Sequence, residues 1–557
     1  MIDHEIKELK RKLKFKTRDS KSKQLTLKGD VKEEGYKLTK KEIREIKDEI
    51  KRLVRIKEVL YDPEKKPFIW EIDFAEIFGA KGGFDIVIGN PPYLSYKKIS
   101  PPTILKKNVT NEKQKEYKNK LKLAISDKFD KLGIQVSIHG FSDYYVYFYF
   151  YTLTLLNQDG VHSFVTSNFW LDTDYGVHLQ KFLCKNVPII GVFDCFNRTF
   201  KAKINTVITF LRSPVNSLNS LHSPIKSEYD DGLNNTVKFV LLKDSFEKSI
   251  NASNLIEIEN MDTKDLDLIE KKEYRVFIIK QDLLKKDNQF IGKWSGKFFK
   301  APRLFFDKIF NNKKMKKLGS ISELKTGLKE SGYKDYLKPR EEIRDLNKNY
   351  YPILKDVKKY TRLKILQNDS FIIKNVSKFK ESTENKHSRI LWPAMRDKRH
   401  FCLYNPHEFT FTGNFFGIEP PQELEKELLF LLNSTLTFFF FEIFARTGFG
   451  DGSAIMVKSD LEKYMMTLNP SLLDKEEVKS ILKQIMKREI KTIFEECGIK
   501  PDRNIRDQIP NPLSDRAKLD KIIFDELDLT EEERREIYWT VCELVKQRIE
   551  KAKSLRR

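Results

Sequence analysis

Apolar positions along this chain recur with two different periods, and the change from one to the other sketches its organisation. Residues 1–60 carry isolated apolar residues at helical spacing among lysines and glutamates, as in HEIKELKRKLKFK and KKEIREIKDEIKRLVRIKEVL, which predicts charged helical segments. Phe84 to Ile88 is a short, β-branched apolar run with one acidic residue. It predicts a central strand ending at Gly89. Asp143 to Leu156 is aromatic on nearly every face and predicts a buried helix, stopped by Gly160 and followed by a strand near Val161 to Thr166. Two further strands are expected at Ile189 to Phe193 and Ile204 to Leu211, joined by a basic, aromatic loop. Residues 213–235 are rich in Ser, Asn, Pro and Asp and predict a surface loop. Near the end, Thr530 followed by Glu533 forms a candidate capping box for a last helix.

The turn after the first predicted strand, Asn90-Pro91-Pro92-Tyr93, carries the most specific chemistry. Two consecutive prolines fix φ and remove two backbone donors, which leaves carbonyls that sheet pairing cannot use up. Asn90 adds a side-chain carbonyl and Tyr93 a flat aromatic face. A rigid cluster of acceptors beside a stacking platform suits a planar base with an exocyclic amine: the amine donates two hydrogen bonds while the ring stacks. Holding both hydrogens out of plane localises the nitrogen lone pair as a nucleophile, and methyl transfer to it becomes feasible. A strand ending in Asn-Pro-Pro is also simply a good turn.

FDIVIGNPPYLSYKK resembles the catalytic motif of the adenine-N6 DNA methyltransferases of restriction-modification and phage-defence systems, in the single-chain type IIG-like form. The resemblance implies Asn90, Pro91, Pro92 and Tyr93 as catalytic residues, with Tyr93 and Phe200 stacking on the target base and Phe196 as second choice to Phe200. It also implies S-adenosylmethionine as cofactor, contacted by Asp73 and Phe74 of WEIDFAEIF, for which a strand-end acid and a core aromatic are the alternative. Asp143 and Tyr144 fall where the family places residues near the methionine end of the cofactor; a helix-capping Asp is the other reading. By the same resemblance, segments after about residue 300, among them LLNSTLTFFFFEIF, resemble a target-recognition region, and the final stretch a C-terminal helical tail.

The implied fold is α/β: a Rossmann-like methyltransferase core with a mostly parallel sheet, N-terminally incomplete, followed by an α+β target-recognition domain and a helical tail. The expected boundaries are a charged helical segment at 1–66, a partial catalytic domain at 67–299, a target-recognition DNA-binding domain at 300–475 and a tail at 476–557. The family's strand and Gly-rich cofactor turn are not found. Gly79, Gly82 and Gly83 precede the catalytic strand directly and read as a loop. The chain is therefore expected to begin partway through a methyltransferase domain, with a companion polypeptide carrying the cofactor loop, or to be a non-catalytic recognition subunit or inactive remnant. Cytosine-N4 methylation uses related amine chemistry and stays open. No nuclease signature is evident.

Composition narrows the partners. With 104 Lys and Arg against 81 Asp and Glu, the formal charge is +23, which favours a polyanion, here double-stranded DNA, although RNA or anionic lipid would be attracted too. Neither a signal peptide nor an apolar run of the roughly 20 residues needed to span a bilayer is present, and a cytoplasmic protein without membrane contact is expected. Cys184, Cys195, Cys402, Cys497 and Cys542 show no paired spacing, and His387, His400 and His407 match no metal helix, so no disulfide framework or metal site is expected. Aromatic and basic residues alternate from Trp392 to Phe401, which suits phosphate and base-edge contacts or else a hairpin with a solvated basic face.

Overall fold

The computed structural model describes residues 2–17, 40–61, 68–102, 104–194, 205–214, 233–243, 246–329, 337–343, 350–373, 386–447 and 452–553. It divides into two compact units, Met1–Gly83 and Phe84–Arg557.

In the first unit the lysine- and glutamate-rich segments form helices α1 (Ile2–Thr17) and α2 (Lys40–Tyr61), as their spacing predicts. Two short helices follow, α3 (Trp70–Asp73) and α4 (Ala75–Lys81). Gly79 lies inside α4, so it does not belong to a loop. Gly82 closes that helix with φ of 77°, a left-handed cap that glycine adopts without strain.

The second unit begins with a seven-stranded sheet in the order β1-β2-β4-β3-β5-β7-β6. The strands are β1 (Phe84–Gly89), β2 (Leu156–Ser167), β3 (Ile189–Asp194), β4 (Thr206–Arg212), β5 (Thr236–Leu242), β6 (Leu266–Glu270) and β7 (Tyr274–Lys280). Only β1 with β2 and β3 with β5 pair in parallel; the other four pairings are antiparallel. The sheet is thus mixed, which corrects the mostly parallel expectation. A parallel pair needs a long crossover, and β1 to β2 has one in α5 (Asn111–Asp130) and α6 (Tyr144–Leu153), whereas β6 and β7 are joined by a tight turn.

Alternation along the strands sends successive side chains to two separate cores. Val192, Val207, Phe239 and Phe277 join the aromatic core built by α5, α6 and α7 (Asp174–Asn186). Their neighbours Phe193, Ile208, Val240 and Ile278 face the other way, with Ile258. β1 is the exception. It is an edge strand, not a central one, and Ile86 and Ile88 on one of its faces are 67% and 78% exposed while Val87 packs inward. Its composition suits a buried strand, but among the described residues of this unit no strand pairs with its outer edge. The helix α6 is buried as expected yet ends at Leu153, and β2 begins at Leu156 and bulges past Asn157–Gly160. Gly160 is therefore a strand residue, where a Cβ would lie 2.9 Å from the Phe84 carbonyl.

From Ala301 onward a second large core forms, running to Val545. It holds small sheets, the buried helices Glu425–Leu432 and Thr435–Phe444, and the helices Lys475–Ile485, Ser514–Glu526 and Glu531–Lys553. The two apolar helices bend by 71° at their junction, and no single helix among the described residues is long and apolar enough to cross a membrane. Thr530 and Glu533 make the expected reciprocal cap, Thr530 N donating to Glu533 at 2.8 Å and Glu533 N to Thr530 Oγ1 at 3.3 Å.

Candidate active site

β1 delivers the Asn90–Tyr93 turn to the carboxyl end of the parallel pair, the end at which α/β sheets hold ligands. Asn90 and Pro92 are exposed, Pro91 is buried and Tyr93 half-buried. Asn90 thus faces solvent, while Pro91 beside it is packed into the protein. No hydrogen bond among the described residues occupies the Asn90 side chain, whereas Tyr93 is firmly held. Its hydroxyl donates to the Val165 carbonyl on β2 at 3.0 Å, and its ring meets that of Tyr145 nearly edge-on at 6.4 Å. Burial raises the Tyr93 pKa, so its hydroxyl stays a neutral donor.

The chain leaving the turn is tied to the start of α6. Tyr144 N donates to the Leu94 carbonyl at 2.9 Å. Asp143 sits at the N-cap position but makes no side-chain cap, which corrects the capping reading. Its Oδ1 accepts from the Tyr96 backbone N–H and its Oδ2 from the Tyr175 hydroxyl, both at 3.0 Å. Burial pushes the Asp143 carboxyl up, and these two donors oppose that shift. Tyr175 in turn pairs with Tyr145 at 2.8 Å. Tyr96, Phe141 and His139 form an aromatic cluster nearby, with the Lys97 and Lys118 ammonium groups each 5.8 Å from the Tyr96 ring centre.

Asp73 and Phe74 belong to the other unit. Asp73 ends α3, so it is not a strand-end acid; it is exposed and accepts from the Ile69 backbone N–H at 2.7 Å. Phe74 stacks on Trp70 with centroids 5.6 Å apart. Phe196 and Phe200 lie outside the described residues.

In the segment from Trp392 to Phe401, Lys398 is exposed and Arg399 half-buried, whereas the other aromatic and basic members turn inward. Trp392, Arg396, His400 and Phe401 are buried. The Arg396 guanidinium lies 3.9 Å from the Trp392 ring centre, and His400 Nε2 bonds Glu442 at 2.6 Å. Trp392 packs against Phe441, and His400 against Phe438 and Phe441. No cluster of metal-ligating residues occurs among the described residues, where Cys184, Cys402, Cys497 and Cys542 are buried and form no disulfide; Cys195 lies outside them.

Sequence reading missed a cavity of about 810 Å³ bounded by the carboxyl end of β3 and the last helix. Asp194, Asn168, Asn205, Arg275 and Arg548 are among its walls, and neither Asn90 nor Tyr93 is. Asp194 Oδ1 has no hydrogen-bond partner among the described residues, and burial raises its pKa. Its walls come from segments hundreds of residues apart, so no local pattern could reveal it.

The Eco57I restriction-modification methylase family model matches residues 3–200. No curated protein matches the chain. Among solved structures, the type IIG restriction endonuclease BpuSI is similar at 13% identity, over 84% of this chain and 54% of that one, with a TM-score of 0.35. The type IIL restriction-modification enzyme MmeI, solved with DNA, is similar at 12% identity over 85% and 59%, with a TM-score of 0.44. A nuclease-deletion mutant of the type ISP enzyme LlaGI gives 12% identity over 92% and 57%, with a TM-score of 0.36. The chain spans little more than half the length of these structures, and no residue role is carried over from them. Over residues 3–200, which include the Asn90–Tyr93 turn, the chain matches the restriction-modification methylases of the Eco57I family.

Proposed function

We propose that this chain takes part in a restriction-modification or phage-defence system as a site-specific DNA methyltransferase acting on adenine N6. The observation that carries this reading is the turn Asn90–Tyr93 at the carboxyl end of β1, with Asn90 exposed, inside the segment matched by the methylase family. An extruded adenine would place its amine between the Asn90 side-chain carbonyl and the Pro91 carbonyl, both accepting. The Tyr93 ring, fixed by its bond to Val165 and its edge contact with Tyr145, would stack on the base. Phe200 is the candidate for the opposite wall. Positioning supplies most of the acceleration, because a rigid turn keeps the amine in line for attack.

S-adenosylmethionine, when bound, supplies an electrophilic methyl group. Asp73 and Phe74 are the residues proposed to hold it: an exposed carboxylate suits hydroxyl or amine donors, and a flat ring suits a purine. Double-stranded DNA is the proposed polyanionic partner, in keeping with the +23 charge.

A second reading is favoured by the edge position of β1. A strand so apolar, with Ile86 and Ile88 bare, suits a chain that methylates only beside a companion polypeptide, serving alone as a recognition subunit. Methyl transfer from labelled cofactor to unmethylated double-stranded DNA, followed by nucleoside mass spectrometry, tests both. The first reading expects N6-methyladenine from the wild type and loss of about 10²-fold or more with Asn90→Ala. Equal methylation by the Asn90→Ala chain would refute the site, and N4-methylcytosine would replace the substrate. An inactive wild type that becomes active with a companion chain would establish the second reading.

A further inference from the structure

The tie between the turn and α6 is more specific than a helix start requires. An Asp preceding a helix ordinarily accepts from that helix's own N–H groups, and Asp143 does not. Both its oxygens reach outward, one to the Tyr96 backbone N–H and the other to the Tyr175 hydroxyl, each at 3.0 Å. The next residue, Tyr144, donates to the Leu94 carbonyl at 2.9 Å. Residues 94 and 96, immediately after the turn, are thus fastened to residues 144 and 143 like one rung of a ladder. A second route runs from Asp143 through Tyr175 to Tyr145, at 2.8 Å, and from the Tyr145 ring to the edge of Tyr93. Backbone and aromatic ring of the turn therefore meet at one carboxylate.

We propose that Asp143 is a positioning residue that fixes the exit of the Asn90–Tyr93 turn and the set of the Tyr93 ring. This rests on the methyltransferase reading only for its catalytic consequence. It differs from a cofactor-contacting role at this position, because each carboxylate oxygen is already engaged by the chain's own donors. Asn at this position keeps an acceptor for the Tyr96 N–H and a polar partner for Tyr175, whereas Ala keeps neither.

The test uses the full chain with Asp143→Ala, Asp143→Asn and Tyr175→Phe. Amide hydrogen exchange across residues 90–96 is read first, because it needs no turnover. The expectation is exchange about 10-fold or more faster at Tyr96 in the Ala variant, close to wild type in the Asn variant, and intermediate effects across the turn in the Phe variant. Unchanged exchange in Asp143→Ala overturns the proposal. Methyl transfer at saturating cofactor and DNA is read second: Asp143→Ala should lose about 10²-fold in rate with cofactor affinity unchanged, and Asp143→Asn should recover most of it. A variant that binds cofactor weakly but turns over normally when saturated also overturns it. If the wild type methylates nothing, with or without a companion chain, the methyltransferase reading fails, and the exchange pattern alone decides the role of Asp143. Should Asp143→Ala fail to fold, Tyr175→Phe, which removes one hydroxyl, carries the exchange comparison.

Discussion

The exposed face of β1 makes a quantitative claim about stability. Fully burying an isoleucine is worth about 1.5–3 kcal/mol. Ile86 and Ile88 are 67% and 78% exposed, so the screened fractions leave about 0.5–1 and about 0.3–0.7 kcal/mol. Replacing both with threonine keeps the branched Cβ that suits a strand and removes only part of that contribution. The double variant Ile86→Thr, Ile88→Thr should therefore lose about 1 kcal/mol or less. Were that face of β1 covered, the same pair would lose part of about 3–6 kcal/mol and leave two buried hydroxyls to satisfy. Urea denaturation followed by tryptophan fluorescence reads the difference, since Trp170 and Trp294 are fully buried in the core beside this sheet. A drop of more than about 3 kcal/mol at constant denaturant dependence would refute the exposure of this face.

Three further outcomes follow from buried groups. Glu442 accepts from His400 and twice from Arg548, and although burial opposes its ionisation, the Arg548 charge and the His400 hydrogen bond bring its pKa down to about 2. Glu442→Gln leaves the Arg548 guanidinium without its counter-ion and should cost about 3–5 kcal/mol in thermal or denaturant unfolding; a change under 1 kcal/mol would contradict this. Burial pushes His162 down to about 3 and His400, partly offset by Glu442, down to about 4. Both stay neutral in the folded chain while the unfolded chain protonates below about 6.5, so stability is full above that pH and falls as pH drops towards these values. Each contributes up to about 1.4 kcal/mol per pH unit, and His162→Gln should flatten the slope measured between pH 6.5 and 5. Finally, a Cβ on Gly176 would lie 1.7 Å from the Trp170 carbonyl, so Gly176→Ala should destabilise by about 3 kcal/mol or more. Near-normal thermal unfolding of that variant would disprove the contact.

Local pattern told most about segments whose structure is locally decided. The helical spacing of residues 40–61, the strand runs at 189–194 and 206–212, and the Thr530–Glu533 cap all carry their signal within a few residues. The Asn90–Tyr93 turn was legible because prolines fix a backbone whatever surrounds it. What depended on distant partners was not legible. Asp143 reads as a cap, yet its partners lie 47 and 32 residues away. Trp392 to Phe401 reads as a basic surface, but Arg396 and His400 find Trp392 and Glu442 to justify burial. The thread from Ile86 to Ile88 reads as interior, and only the strand order makes it an edge.

The C-terminal helix has a consequence for how the chain is made. Arg548, almost at its end, binds Glu442 and the carbonyls of Gly452 and Asp397, and the helix packs against the phenylalanine-rich helix Thr435–Phe444. Segments made earlier, around Phe305, Trp392 and His400, pack on that row first, but the side that the last helix covers waits until translation has passed Arg548, more than a hundred codons after Phe438–Phe441 emerged. Loss of this helix would strip that face of the row of its cover and open it to aggregation or proteolysis.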